Sequence, residues 1–97
     1  MTTTTNTTKK YELTALIYES DGQEVIDKLT EKIKKYGKIT GFEDDGVKRL
    51  AYEIRGEEKA HYLYYNLDLE NDMPAKLSSD LNIDDKVLRY LLVRVSR

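Results

Sequence analysis

Gly46-Val47-Lys48-Arg49-Leu50-Ala51-Tyr52-Glu53-Ile54-Arg55 is the stretch whose reading decides the fold. Its second half sets Leu50, Tyr52 and Ile54 against Arg49, Ala51 and Glu53, the period of a strand with one buried and one wetter face. Two cations stand at its start, directly after the acidic segment Glu43-Asp44-Asp45-Gly46. Downstream, Gly56-Glu57-Glu58-Lys59 is a polar loop of hairpin length, so residues 60–69 are expected to return antiparallel to it. In that returning strand Leu63, Tyr65, Leu67 and Leu69 share one face, and Tyr62, Tyr64 and Asn66 the other.

Upstream, residues 39–42 begin the same strand. Gly41 marks a bulge, and the acidic segment kinks the strand without ending it. Residues 11–18 form another strand, apolar on both faces toward its end and therefore central in the sheet. Between these two, Val25, Ile26, Leu29, Ile33 and Tyr36 recur at helical spacing, with charged residues mostly on the opposite side. Ser20-Asp21-Gly22-Gln23 offers a capping box at the start of this helix, and Gly37 a C′ position at its end. A second, shorter helix follows the hairpin, with Asp72 as N-cap, Pro74 in the first turn, and Met73, Leu77 and Leu81 facing inward. Residues 87–95 supply the last strand.

The order β-α-β-β-α-β, with right-handed crossovers and one hairpin, gives an α+β ferredoxin-like sandwich: a four-stranded antiparallel sheet with both helices on one face. The expected core is Leu13, Ala15, Ile17, Ile26, Leu29, Ile33, Ile39, Phe42, Leu50, Tyr52, Leu63, Tyr65, Leu67, Leu77, Leu81, Tyr90 and Leu92. Residues 1–9 form a Thr-rich flexible tail and residues 10–97 a single domain.

Composition narrows the function. Sixteen Lys+Arg against eighteen Asp+Glu leave a formal charge of −2, so any nucleic-acid site has to be a local patch. With 39% hydrophobic and 35% charged residues, the chain reads as globular and soluble. No apolar run approaches the about 18–20 residues of a membrane span, and no signal-peptide pattern is present, which makes a cytoplasmic protein the expectation. There is no cysteine, hence no disulfide or thiolate chemistry.

Catalytic and metal constellations are lacking. His61 is the single histidine and lies on the Leu63 side of its strand, where a strand-end packing or solvent role fits best. Glu43-Asp44-Asp45 lacks the spaced oxygen ligands of a calcium loop, and no glycine loop is arranged to cradle phosphate. No catalytic residue, metal ligand, cofactor or small-molecule substrate is assigned.

The sheet face away from the helices is more informative. Leu16, Tyr62, Tyr64, Leu91, Val93 and Val95 would form an apolar, tyrosine-rich patch there, the composition of an interaction surface. Aromatic sheets of this fold also serve as single-stranded RNA platforms, but the glycine- and phenylalanine-rich motif of those platforms is missing. Lys9-Lys10, Lys48-Arg49 and the acid-free segment with Lys86, Arg89, Arg94 and Arg97 could meet at one border of the sheet and neutralise phosphates.

Residues 46–55 resemble the signature of the bacterial small-ribosomal-subunit protein six family: Gly, any residue, a basic position, a polar or charged one, Leu, a small residue, Tyr, any residue, Ile, then a basic or small one. Lys10-Tyr11-Glu12-Leu13, Tyr36-Gly37, the tyrosine-rich third strand and Val87-Leu88-Arg89-Tyr90 are similar to segments of that family, so the resemblance runs over roughly residues 10–95. It implies a structural, non-enzymatic protein of the small ribosomal subunit that binds the central domain of 16S rRNA together with small-subunit ribosomal protein eighteen. By position, Lys10, Tyr11, Lys48, Arg49, Lys86 and Arg89 are then the RNA-binding candidates, and Tyr62, Tyr64, Leu91 and Val93 the protein-partner candidates. Family members usually continue beyond the last strand with a C-terminal tail able to touch the partner, and the Thr-rich segment before Lys9 is unusual among them. The alternative is a ferredoxin-like protein-interaction or small-ligand module with no RNA role.

Overall fold

The computed structural model describes residues 8–95; the tail expected at residues 1–9 thus falls mostly outside the described residues, as does Arg97. The elements run β1 (Lys9–Tyr18), α1 (Gln23–Lys34), β2 (Gly37–Ile54), β3 (Glu57–Leu69), α2 (Met73–Asn82) and β4 (Val87–Arg94). They build one antiparallel sheet in the order β2-β3-β1-β4. This is the expected ferredoxin-like arrangement.

β1, read from sequence as apolar on both faces and central, takes an inner position beside β3, where both edges are hydrogen-bonded, whereas β4 lies at an edge. Leu13, Ala15 and Ile17 of β1 join Leu63, Tyr65, Leu67 and Leu69 of β3 beneath Ile26, Leu29 and Ile33 of α1 and Leu77 and Leu81 of α2. Truncating one such leucine to alanine costs about 2–5 kcal/mol. Polar pins complete the layer. Tyr65 shares a 2.9 Å hydrogen bond with Thr30, and Tyr90 shares one of 2.5 Å with Ser78. Lys32 reaches Asp84 at 2.6 Å and Asp80 at 3.0 Å, while Tyr36 donates to Asp80 at 2.6 Å, so the two helices are tied to each other.

Two expectations about helix ends are corrected. The N-cap of α1 is Gly22 in an extended conformation, and no side chain caps the helix, so the Ser20 capping box does not form. Asp72 is the N-cap of α2 as expected and Pro74 sits in the first turn, but the Asp72 backbone is helical and its side chain makes no capping hydrogen bond. Gly37 does not close α1 in a left-handed conformation. It opens β2, where an added Cβ would overlap the Asp68 carbonyl oxygen and the Leu69 side chain, so close strand approach requires the glycine.

Core membership changes at β2. Ile39 packs partly against the core as expected, but Phe42 is 48% exposed and Tyr52 82% exposed. Leu50 leaves the main core for a second cluster with Leu16, Ala60 and Leu88. The reason is topological: β2 is an edge strand and, with the start of β3, outruns the rest of the sheet. Lys48 pairs with Ala60, which itself pairs with Tyr18, the last residue of β1; beyond that point no central strand lies beside the hairpin. The hairpin is also tighter than the polar loop suggested, with β2 ending at Ile54 and β3 beginning at Glu57. Its two-residue turn is Arg55-Gly56, with φ of +51° and +80°, the type I′ pattern. Residues 57–59 belong to β3.

Candidate RNA and partner interface

Strand pairing determines what the uncovered face presents. In β2 the register slips by one at Thr40 and again at Asp45, and in β4 at Leu88. Opposed residues of paired strands share a face. The uncovered face therefore carries three rows across the four strands: Gly46, Tyr62, Leu16 and Arg89; then Glu43, Tyr64, Thr14 and Leu91; then Gly41, Asn66, Glu12 and Val93. Tyr62, Tyr64, Leu91 and Val93, the protein-partner candidates, thus lie on one surface. Leu91 is 61% exposed and Val93 44%. A groove of ≈ 350 Å³ runs through this surface, floored by Leu16, Tyr62 and Leu91 and walled by Leu50, Tyr52 and Ile54 of the hairpin. Sequence alternation alone missed that wall, because it assigned Leu50 and Tyr52 to the opposite side.

The RNA candidates do not meet at one border. Lys10 pairs with Asp68 at one end of the sheet, whereas Lys48 lies level with Tyr18 at the other, roughly 27 Å away along a strand rising about 3.3–3.4 Å per residue. Tyr11 turns to the helix side, in the row of Ile39, Leu67 and Arg94, and packs half-buried against the core. Lys48, Arg49, Lys86 and Arg89 belong to the far end, Lys86 immediately before β4 and Arg89 within it.

Adjacent in the strand, the two cations of the signature face opposite ways, and the bulge at Asp45 sets which of them takes the uncovered face. Lys48 points to the uncovered face, where its ammonium lies 5.3 Å from the centre of the Tyr62 ring and pairs with Asp45. The Asp45 carboxylate, by hydrogen bonding, raises the Lys48 pKa. Arg49 pairs in register with Lys59 on the other side and lies 3.6 Å from Glu58. His61 gains a partner the sequence did not suggest. Its Nε2 lies 2.6 Å from Asp44 Oδ1, which also accepts the Gly46 N–H at 3.0 Å. The hydrogen bond from His61 holds the Asp44 carboxyl below its usual range. Asp44 thereby secures the bulge that orients Lys48.

Among the described residues no group of three or more His, Asp or Glu is placed to hold a metal ion, and no helix is long and apolar enough to cross a membrane. A sheet with helices on one side, an apolar tyrosine-rich surface on the other and cations at its ends defines a binding domain that presents a broad face to macromolecular partners.

Known proteins specify that class further. A family model described as ribosomal protein S6 matches residues 10–94. The small ribosomal subunit protein bS6 of Vesicomyosocius okutanii subsp. Calyptogena okutanii is 36% identical over 89 residues, covering 88% of this chain and 79% of that protein. The chloroplastic protein Regulator of Fatty Acid Composition 3 of Arabidopsis thaliana is 33% identical over 91 residues; 89% of this chain aligns, and it spans 29% of the length of that longer relative. The crystal structure of 30S ribosomal protein S6 from Thermotoga maritima superimposes with a TM-score of 0.79 at 22% identity, covering 91% of this chain and 88% of that one, a likeness of fold. The chain belongs to the ribosomal protein S6 family, proteins of the small ribosomal subunit.

Proposed function

We propose that this domain is a structural constituent of the small ribosomal subunit in the cytoplasm, binding the central domain of 16S rRNA jointly with small-subunit ribosomal protein eighteen. The observation that carries this is the uncovered sheet face, apolar and tyrosine-rich, on a chain of the S6 family. In this assembly Tyr62, Tyr64, Leu91 and Val93 meet the partner protein. Lys48, Arg49, Lys86 and Arg89 at one end of the sheet, and Lys10 at the other, face RNA, while Tyr11, turned to the helix side, supports the strand behind Lys10. Backbone phosphates are the natural contacts of such side chains, so they position the domain without reading bases.

A chain of net charge −2 has few phosphate contacts to offer by itself. A gel shift on a central-domain 16S rRNA fragment should therefore show weak binding by the domain alone and tight binding by the pair. If the pair binds no better than small-subunit ribosomal protein eighteen alone, joint assembly is refuted. Salt separates this function from that of an RNA-free interaction module. Phosphate neutralisation makes affinity fall steeply with ionic strength, and an apolar contact does not.

A further inference from the structure

Beyond the last residue of β1 the β2–β3 hairpin turns back toward β4. Leu50 and Ile54 pack with Leu16 and Leu88, and the turn residue Arg55 lines a shallow notch of ≈ 300 Å³ together with Leu81, Asn82, Val87 and Arg89. Two arginines of separate elements, one from the hairpin turn and one from β4, thus line one small space.

Neither arginine side chain has a hydrogen bond or ion pair among the described residues. Each guanidinium carries five N–H donors in a fixed fork suited to phosphate oxygens. An anion that accepts from both forks would fill donors that no carboxylate of the described residues occupies.

The backbone of Arg55 points the same way. Its φ of +51° is in the left-handed region, and it is the one non-glycine residue with positive φ among the described residues. A type I′ turn strongly prefers Asn-Gly or Asp-Gly, so a turn chosen for stability would not carry arginine at its first central position. Backbone strain of this kind concentrates at binding sites. The notch is also continuous with the uncovered-face groove, since Arg89 and Tyr90 line both.

We propose that the notch is an anion site that holds one backbone phosphate of RNA between Arg55 and Arg89, beside the surface that receives the protein partner. This rests on the RNA-binding role proposed above and adds to it a contact, Arg55, the closing position of the 46–55 signature, which was not among the RNA-binding candidates.

Arg55→Asn tests it, because Asn-Gly is the favoured turn and the fold is preserved. Bound to the central-domain rRNA fragment with small-subunit ribosomal protein eighteen, the variant should lose about tenfold in affinity. The plot of log affinity against log salt should become shallower by about one unit. Its melting temperature should hold or rise by roughly 2–4 °C. Lys76→Asn, which removes the same charge from the exposed side of α2, should leave both affinity and slope near wild type. An unchanged salt slope in Arg55→Asn overturns the proposal, as does an affinity loss accompanied by a fall in melting temperature, which would make Arg55 a residue of the fold. Titration of the free wild-type protein with inorganic phosphate separates the notch from ribosome assembly. Shifts of the Arg55 and Arg89 Nε–H resonances, absent for residue 55 in the variant and weakened for Arg89, support the site even if rRNA binding fails; no shift at either arginine refutes it.

Discussion

Leu91→Glu separates the stability of the domain from its assembly. Leu91 is 61% exposed on the uncovered face, next to Thr14 and in the row of Tyr64. Full burial of a leucine side chain is worth about 2 kcal/mol, so the fold uses roughly 0.8 kcal/mol of it and leaves about 1.2 kcal/mol for a partner. Replacement should therefore destabilise the free domain by at most about 1 kcal/mol. In the complex the loss is larger, because a carboxylate carried into an apolar interface adds a desolvation cost above the roughly 1–3 kcal/mol of a neutral polar group. Arg89 lies one row away and offsets part of that, so the summed loss is about 2 kcal/mol or more, roughly 30-fold in affinity. Calorimetric titration with small-subunit ribosomal protein eighteen reads the affinity, and urea denaturation of the free domain reads the fold. An affinity within threefold of wild type, with an intact denaturation midpoint, would show that the partner does not use this face.

Further outcomes follow from the same geometry. Gly37→Ala should cost about 2–3 kcal/mol, because the new methyl meets backbone of β3, whereas Gly41→Ala should cost under about 1 kcal/mol, because it meets the movable Asn66 side chain at 2.9 Å; equal denaturation midpoints would contradict this. The double change Lys48→Glu with Arg49→Glu should weaken rRNA association while the free domain keeps its fold, both side chains being exposed, and unchanged affinity would move the RNA surface elsewhere. Tyr65→Phe should cost about 1 kcal/mol, measured by denaturation, through loss of the 2.9 Å hydrogen bond with Thr30. The helix tie has an acid limit: hydrogen bonds from Tyr36 and Lys32 depress the Asp80 pKa, so its contribution is complete above the unfolded value of about 3.9 and disappears as pH falls through the lower folded value. Asp80→Asn should accordingly flatten the acid-side stability profile below about pH 4, and a profile superimposable on wild type would remove Asp80 from that role.

The sequence was most legible where local period and burial agree. Ile26, Leu29 and Ile33 at helical spacing, and Leu63, Tyr65 and Leu67 at alternation, meet in the core because those elements lie in the middle of the layer. The shared surface of Tyr62, Tyr64, Leu91 and Val93 was legible for the same reason, since β3 is inner and regular over its whole length and β4 is regular beyond Leu88. Alternation failed along β2. Each bulge residue reverses the faces of everything after it, so the period that correctly marks a strand cannot say which side Lys48 or Leu50 occupies.

By itself, then, the sequence determined the element order, the central place of β1, the helix faces and the family signature at residues 46–55, because all of these depend on neighbours close along the chain. Only the tertiary structure decided that Lys48 rather than Arg49 takes the uncovered face, that Phe42 and Tyr52 are exposed on an edge strand, that Lys10 lies far from Lys48, and that Arg55 and Arg89 line one notch. Those facts depend on strand register, on the edge position of β2 and on how far its hairpin outruns the sheet. They are long-range pairings that no local period encodes.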